Sequence, residues 1–262
     1  MRYLALEDTA VFARYVHVLL ALLVGFGFQG VAQAEGLRLY TEEYPPINFS
    51  RDDGKPTGLA TEVVLEIMRR TGDTAPIEVV PWARGYQQAQ VRPNTGLFVT
   101  MRIPEREKLF HWVGPLTRNT TSFYALRRNG LQLDDFEQAR QVGKIAVPRD
   151  WYSHQHLLAH GFTNLYPVAG PDQVIRMLKR GRVKLMALDD LSLNALLDGG
   201  GLAVGEVEQL LVFLHSDSYI AFSQDTDPRL LARWQQALDA MKADGSFAAI
   251  YHKWLPGLPL PP

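Results

Sequence analysis

The chain of 262 residues contains no cysteine. Disulfides, thiolate nucleophiles, Cys-ligated zinc and a lipid-modified cysteine are therefore excluded. Charge of one sign is not in excess either: 27 Lys and Arg stand against 28 Asp and Glu, a formal net charge of -1. Phosphate binding needs a clustered positive face, so nucleic acid is not an expected partner. The sequence has no Gly-x-Ser-x-Gly elbow, no His-Glu-x-x-His and no phosphate-cradling glycine loop. It also lacks internal repeats, and no later segment has the ~20 apolar residues that a membrane span needs.

What is present begins with an export pattern. Arg2 and Arg14 precede an apolar run over residues 16–28. Ala32-Gln33-Ala34 then gives a small-x-small cleavage site, so residues 1–34 read as a signal peptide and Glu35 as the mature start. Glu7 and Asp8 make the leading segment unusual, and an uncleaved anchor is the alternative.

Two units of alternating strands and helices follow. Residues 37–40, 77–80 and 96–100 read as strands, and 59–70 as a helix with Leu59, Val63, Ile67 and Met68 on one face. Arg69, Arg70 and Gly72 close that helix. In the second unit, residues 144–147, 165–168, 184–188 and 210–214 read as strands. Helices start at Asp150, Pro171 and Asp189-Asp190, on capping residues or proline. This alternation implies α/β architecture with parallel sheets. Residues 122–126 and 219–223 are extended and apolar, suited to connect the units. Asp227 and Pro228 open a final helix with Leu231, Trp234, Leu238 and Met241 on its apolar stripe, and further aromatics follow.

The stretch over residues 81–116 carries the most chemistry. An apolar strand leaves through Met101-Arg102-Ile103 and turns at Pro104 into an expected helix. Arg102 and Arg106 sit on that corner, with Trp82, Tyr86, Phe110 and Trp112 nearby in sequence. Ligands of open α/β sheets bind beyond the carboxyl ends of the strands, and an arginine there can clamp a carboxylate with paired N–H donors. The competing reading of each arginine is a solvated pair with Glu105 or Glu107.

Four motifs in order resemble one family. They are Glu43-Tyr44-Pro45-Pro46 with Gly58-Leu59-Ala60-Thr61-Glu62; Pro104-Glu105-Arg106; Gly181-Arg182-Val183 through Asp189; and Ala240 through Leu255, which holds Ile250-Tyr251-His252-Lys253-Trp254. Over residues 37–255 the chain resembles periplasmic solute-binding proteins of type II, bacterial extracellular solute-binding family 3. The resemblance implies two lobes, each a mostly parallel sheet flanked by helices, joined by two crossing hinge strands. Residues 35–121 with 221–262 would form the first lobe and 122–220 the second. It implies a monomer that binds a small polar solute, amino-acid-like or another small carboxylate. The solute would be delivered to the membrane permease of an ABC transporter, and neither cofactor nor metal is implied. Arg106, with Arg102 as the other candidate, would hold a carboxylate. Tyr44 and Trp82 would stack on the solute, and Asp189 would receive an ammonium. Trp151, Tyr152 and Ser153 occupy a helix start whose N–H groups suit an anion. The family usually has Gly-Thr where this chain has Asp150-Trp151, so a larger solute, or a site partly filled by Trp151, is also consistent. A dehydratase-like enzyme using Glu42, Glu43 or Asp189, or a sensory protein without its own permease, are the alternatives. His154, His156 and His160 lack a third ligand geometry and read as a polar helix face.

Overall fold

The computed structural model describes residues 36–262. The expected signal peptide lies outside the described residues. Among the described residues no helix is long and apolar enough to cross a membrane.

Two parallel triplets share one eight-stranded sheet. In the first, β1 (Arg38–Thr41) lies between β4 (Ile77–Val79) and β5 (Thr95–Met101). In the second, β7 (Ile145–Pro148) lies between β8 (Leu165–Val168) and β9 (Leu185–Asp189). Between the triplets run two sixteen-residue strands, β6 (His111–Leu126) and β10 (Val207–Phe222). They pair antiparallel with each other, β10 with β5 and β6 with β9. Each triplet with its helices is a lobe, and β6 and β10 are the two crossing strands. A short hairpin, β2 (Phe49–Ser50) with β3 (Pro56–Thr57), closes the first loop.

Those long strands correct the sequence reading. Residues 122–126, 210–214 and 219–222 are not separate elements but parts of β6 and β10, and β10 ends one residue before the expected 223. Register shifts at Gln209/Leu211, Val212/Leu214 and Ser218/Ile220 interrupt the alternation that would have revealed one continuous strand.

The helices follow their local chemistry. α1 (Leu59–Thr71) buries Leu59, Val63, Val64, Ile67 and Met68, and ends at Gly72 in the left-handed region, whose N–H bonds Met68 O. Its start is tighter. Gly58 has φ 109°, and a β-carbon there would stand 2.6 Å from the Ile47 carbonyl oxygen. α2 (Trp82–Val91) follows β4, and α3 (Tyr152–Ala159) follows β7. α4 (Pro171–Lys179) and α5 (Asp190–Gly200) flank the second triplet, while α6 (Pro228–Ala243) and α7 (Ser246–Trp254) close the chain. Pro104 does not start an α-helix. Residues Pro104–Leu109 form a 3-10 turn, because the chain enters β6 two residues later.

One apolar cluster packs Leu39, Leu97 and Phe222 with Trp234 and Tyr251 and extends into the second lobe. A second holds Phe123, Ile145, Val147, Leu157 and Phe162. β5 is buried at all seven residues, as expected for a strand covered on both faces. The parallel strands β1, β5, β7 and β9 thus end firmly at one crevice.

Candidate functional site

Each of those strand ends delivers a polar residue. Beyond β1 come Glu42 and Tyr44; beyond β5 comes Arg106; beyond β7 come Asp150 and Trp151; β9 ends in Asp189. Arg106 and Asp189 are 0 % and 1 % exposed, so the crevice buries opposite charges from opposite lobes. The cavity beside Arg106 is lined by Glu42, Tyr44, Asn48, Trp82, Val99, Met101, Arg106, Trp151 and Tyr152. It measures about 10 Å³, roughly what one water molecule requires. The crevice is closed, and side chains fill it.

Arg106 occupies a specific niche. Its guanidinium carbon lies 4.9 Å from the centre of the Trp82 ring and 5.0 Å from that of Tyr86. The two rings stack on each other at 5.4 Å. Aromatic faces attract a cation most where water is excluded. Arg106 Nε donates to Gln155 Oε1 at 2.9 Å and Nη2 donates to Asp150 O at 3.1 Å. A longer contact of 3.5 Å joins Nη1 to Met101 O. Burial pushes the guanidinium down to about 10, offset by the fields of Tyr86 and Glu42, so it remains a cation at neutral pH.

Asp189 caps α5. It accepts from Ser192 N at 3.0 Å and from Ser192 Oγ at 3.2 and 3.1 Å. The Tyr44 hydroxyl donates to it across the crevice, and itself accepts from Asn119 Nδ2 at 2.9 Å. Burial raises the Asp189 carboxyl, and these donors partly oppose that. Asp189 does not line the cavity itself; it stands behind the Tyr44 hydroxyl. Tyr44 and Tyr152 are held neutral, well above the usual phenol range, by burial and by the charge of Asp189. The Tyr152 hydroxyl pairs with Thr121 Oγ1 at 2.9 Å.

The Asp150-Trp151 pair is where the chain departs from its expected pattern. Asp150 does not cap α3; Trp151 holds the cap position, and Asp150 takes φ 60°. Its carbonyl thereby faces the crevice, where it accepts from both Arg106 and Trp82 Nε1, the latter at 2.9 Å. Trp151 meets the Tyr44 ring edge-on at 5.7 Å, and its indole lines the cavity beside Glu42. Burial pushes the Glu42 carboxyl up to about 8; the neighbouring Trp151 indole N–H and Arg106 pull it down, and Asp189 pushes it further up.

The expected site residues divide. Arg106, Tyr44, Trp82, Trp151 and Tyr152 meet at the cavity, and Asp189 adjoins it through Tyr44. Ser153 is buried in the first turn of α3, but it does not line the cavity, and its Oγ has no partner. Arg102 is elsewhere. Its guanidinium donates to Glu107 at 2.8 and 2.6 Å and lies over Tyr219, in a separate groove with Arg118 and His215. Arg102 thus forms an exposed ion pair with Glu107. Sequence reasoning missed Asn48 and Gln155, and gave Glu42 only a catalytic alternative. Glu42 had a detectable signal, since it directly follows a strand end. Among the described residues no three side chains gather to hold a metal.

Fold and site together define a two-lobed solute-binding protein. The sequence profile of the bacterial extracellular solute-binding proteins, family 3, matches residues 37–257, and the chain belongs to that family. No curated protein matches the chain significantly. Among solved structures, a histidine kinase sensor domain with similarity to periplasmic binding proteins aligns with TM-score 0.78 and 22 % identity, covering 87 % of this chain and 98 % of that one. A substrate-binding protein of an ABC uptake transporter from Streptococcus pneumoniae, with bound histidine, aligns with TM-score 0.71 and 14 % identity, covering 84 % and 92 %. An ancestral amino-acid-binding protein, a precursor of cyclohexadienyl dehydratase, gives 0.69 and 20 %, covering 84 % and 94 %.

Proposed function

We propose that the mature chain is a periplasmic receptor that closes on one small polar solute and delivers it to the membrane permease of an ABC transporter. The observation that carries this is the burial of Arg106 and Asp189 on opposite walls of one crevice. Burying charge is costly, and a fold retains it where a polar partner is to be received. Arg106, Tyr44, Trp82, Asp189, Trp151 and Tyr152 form the binding wall, with Ser153 at its edge. In this reading the lobes divide within β6 and β10, residues 35–121 with 221–262 against 122–220, and hinge on those strands. Residues 1–34 are removed on export, and the receptor works as a monomer without cofactor.

Binding rather than catalysis fits the closed, aromatic-walled crevice. A sensory role is the second reading, supported by the likeness to a histidine kinase sensor domain. Both readings share the site. The test is mass spectrometry of the solute that co-purifies from native expression, followed by calorimetric titration of wild type and Arg106→Ala. Losing a desolvated, hydrogen-bonded charge costs roughly 2–5 kcal/mol, a drop in affinity of about thirtyfold or more. Unchanged affinity in a folded Arg106→Ala protein would overturn the crevice as the site. Uptake that fails when the chain is deleted separates transport from sensing.

A further inference from the structure

The hydrogen-bonding groups of the crevice are unevenly engaged. Most of its donors are committed: Trp82 Nε1 to Asp150 O, the Tyr44 hydroxyl to Asp189, and the Nε and Nη2 edge of Arg106 to Gln155 and Asp150, while Nη1 reaches only Met101 O at 3.5 Å. Its acceptors are not. Asn48 is 0 % exposed and lines the cavity, and its Oδ1 has no partner. Asp189 Oδ2 accepts only from Ser192 Oγ, at 3.1 Å. Buried acceptors left unpaired are costly, so a solute that supplies donors gains most here.

Charge points the same way. The crevice holds one buried cation, Arg106, and two carboxyls, Glu42 and Asp189, both raised by burial. Arg106 balances one ionised carboxylate, so Glu42 and Asp189 can both ionise only when a second cation enters. Space for it lies at the mouth, in a pocket of about 260 Å³ whose walls include Glu42, Glu43, Trp82 and Trp151. No Lys or Arg lines that pocket. Glu43 is exposed and accepts from Ser50, leaving Glu42 as the carboxyl shared by mouth and cavity. Indole faces beside a carboxylate suit an organic cation.

We propose that the solute is an amine or guanidine without a carboxylate, its charged group received by Glu42 between the indoles of Trp82 and Trp151. This rests on the crevice being the solute site. A carboxylate meets an obstacle: the side-on edge of Arg106, which would grip it with two N–H groups, already holds Gln155 and the Asp150 carbonyl. What remains for an anion is the first-turn N–H groups of α3 and the Nη1 end of Arg106, which makes only a 3.5 Å contact to Met101 O. Binding the cation also lets Glu42 ionise. The groups facing Glu42 are Arg106, Asp189 and Trp151, with Tyr44 and Tyr152 neutral beside them. A proton therefore leaves near neutral pH as the cation enters.

The experiment sets amines against their amino-acid parents. Agmatine and arginine, cadaverine and lysine, and tyramine and tyrosine are titrated calorimetrically at pH 7 into the mature protein. Two buffers of different ionisation enthalpy count protons. The expected result is one amine binding about tenfold or more tighter than its parent, with release of about one proton. Glu42→Gln, which keeps the side chain's shape, should weaken that amine about thirtyfold and abolish the release. A parent that binds as tightly as its amine, absent proton release in wild type, or no amine binding at all overturns the inference. The proton count in wild type does not depend on the variant folding. Failure of the crevice reading looks different: the co-purified solute would then bind Arg106→Ala and Glu42→Gln as well as wild type.

Discussion

Replacing Glu42 with Gln should stabilise the ligand-free protein at neutral pH, and by an amount that grows with pH. In the folded chain burial raises this carboxyl from an ordinary 4.5 to about 8. The folded state therefore holds a proton that the unfolded chain releases. A group of this kind leaves stability intact below pH 4.5 and erodes it progressively as pH rises towards 8. Between 4.5 and 7 lie about 2.5 pH units, each worth ~1.4 kcal/mol. Part of Glu42 remains open to the mouth, so about 2–3 kcal/mol is the realistic penalty at pH 7. Glutamine cannot ionise, and its amide keeps an oxygen where the carboxyl had one. Urea unfolding of both proteins at pH 4.5, 6, 7 and 8 should give curves that nearly coincide at the acid end and diverge steadily above it. At pH 7 the variant should melt about 4–12 °C higher, given 2–4 °C per kcal/mol for a domain of this size. Parallel pH profiles would show that Glu42 is ionised and solvated in the folded protein, and the physical basis for its role in the crevice would be wrong.

Two further changes probe positions around the site. Arg102→Ala should leave solute affinity unchanged and cost only ~0.2–1 kcal/mol in chemical denaturation, because its pair with Glu107 is exposed and lies outside the cavity. A large loss of binding would instead restore Arg102 as the clamp. Gly58→Ala should cost at least ~2 kcal/mol, since its φ of 109° and its 2.6 Å approach to Ile47 O leave a β-carbon no place. A melting temperature within a degree of wild type would refute that geometry.

Much of the fold was legible because its signals are local. Pro171 opens α4, and Asp227 with Pro228 opens α6, as capping chemistry predicts. Asp189 caps α5 by accepting from Ser192 N, so the acidic end of β9 was visible as a strand-to-helix corner. What failed depended on partners far along the chain. β6 and β10 read as fragments because the shifts between them are set by their pairing, not by either sequence alone. Pro104 promised an α-helix, but six residues before β6 leave room only for a 3-10 turn. Which of Arg102 and Arg106 is buried depends on packing from the other lobe, which neither local sequence shows.

The site shows why a departure from a family pattern can carry more information than a match. Arg106 and Asp189 match it, and their burial would suit almost any zwitterion. Asp150-Trp151 departs from it, and that pair changes what both walls do. The positive φ of Asp150 turns a backbone carbonyl onto Arg106, so an acceptor already stands where a carboxylate was expected. Trp151 sets an indole at the mouth beside Glu42, so the half-buried carboxyl of the first lobe gains an aromatic neighbour from the second. The first change removes donors from the crevice and the second adds an aromatic face to it. Neither is visible from composition, and both follow from two adjacent residues. On the proposed reading, the loop after β7 shapes the crevice more than the arginine corner does. Exchanging that dipeptide is the change that should most alter which solutes the protein accepts.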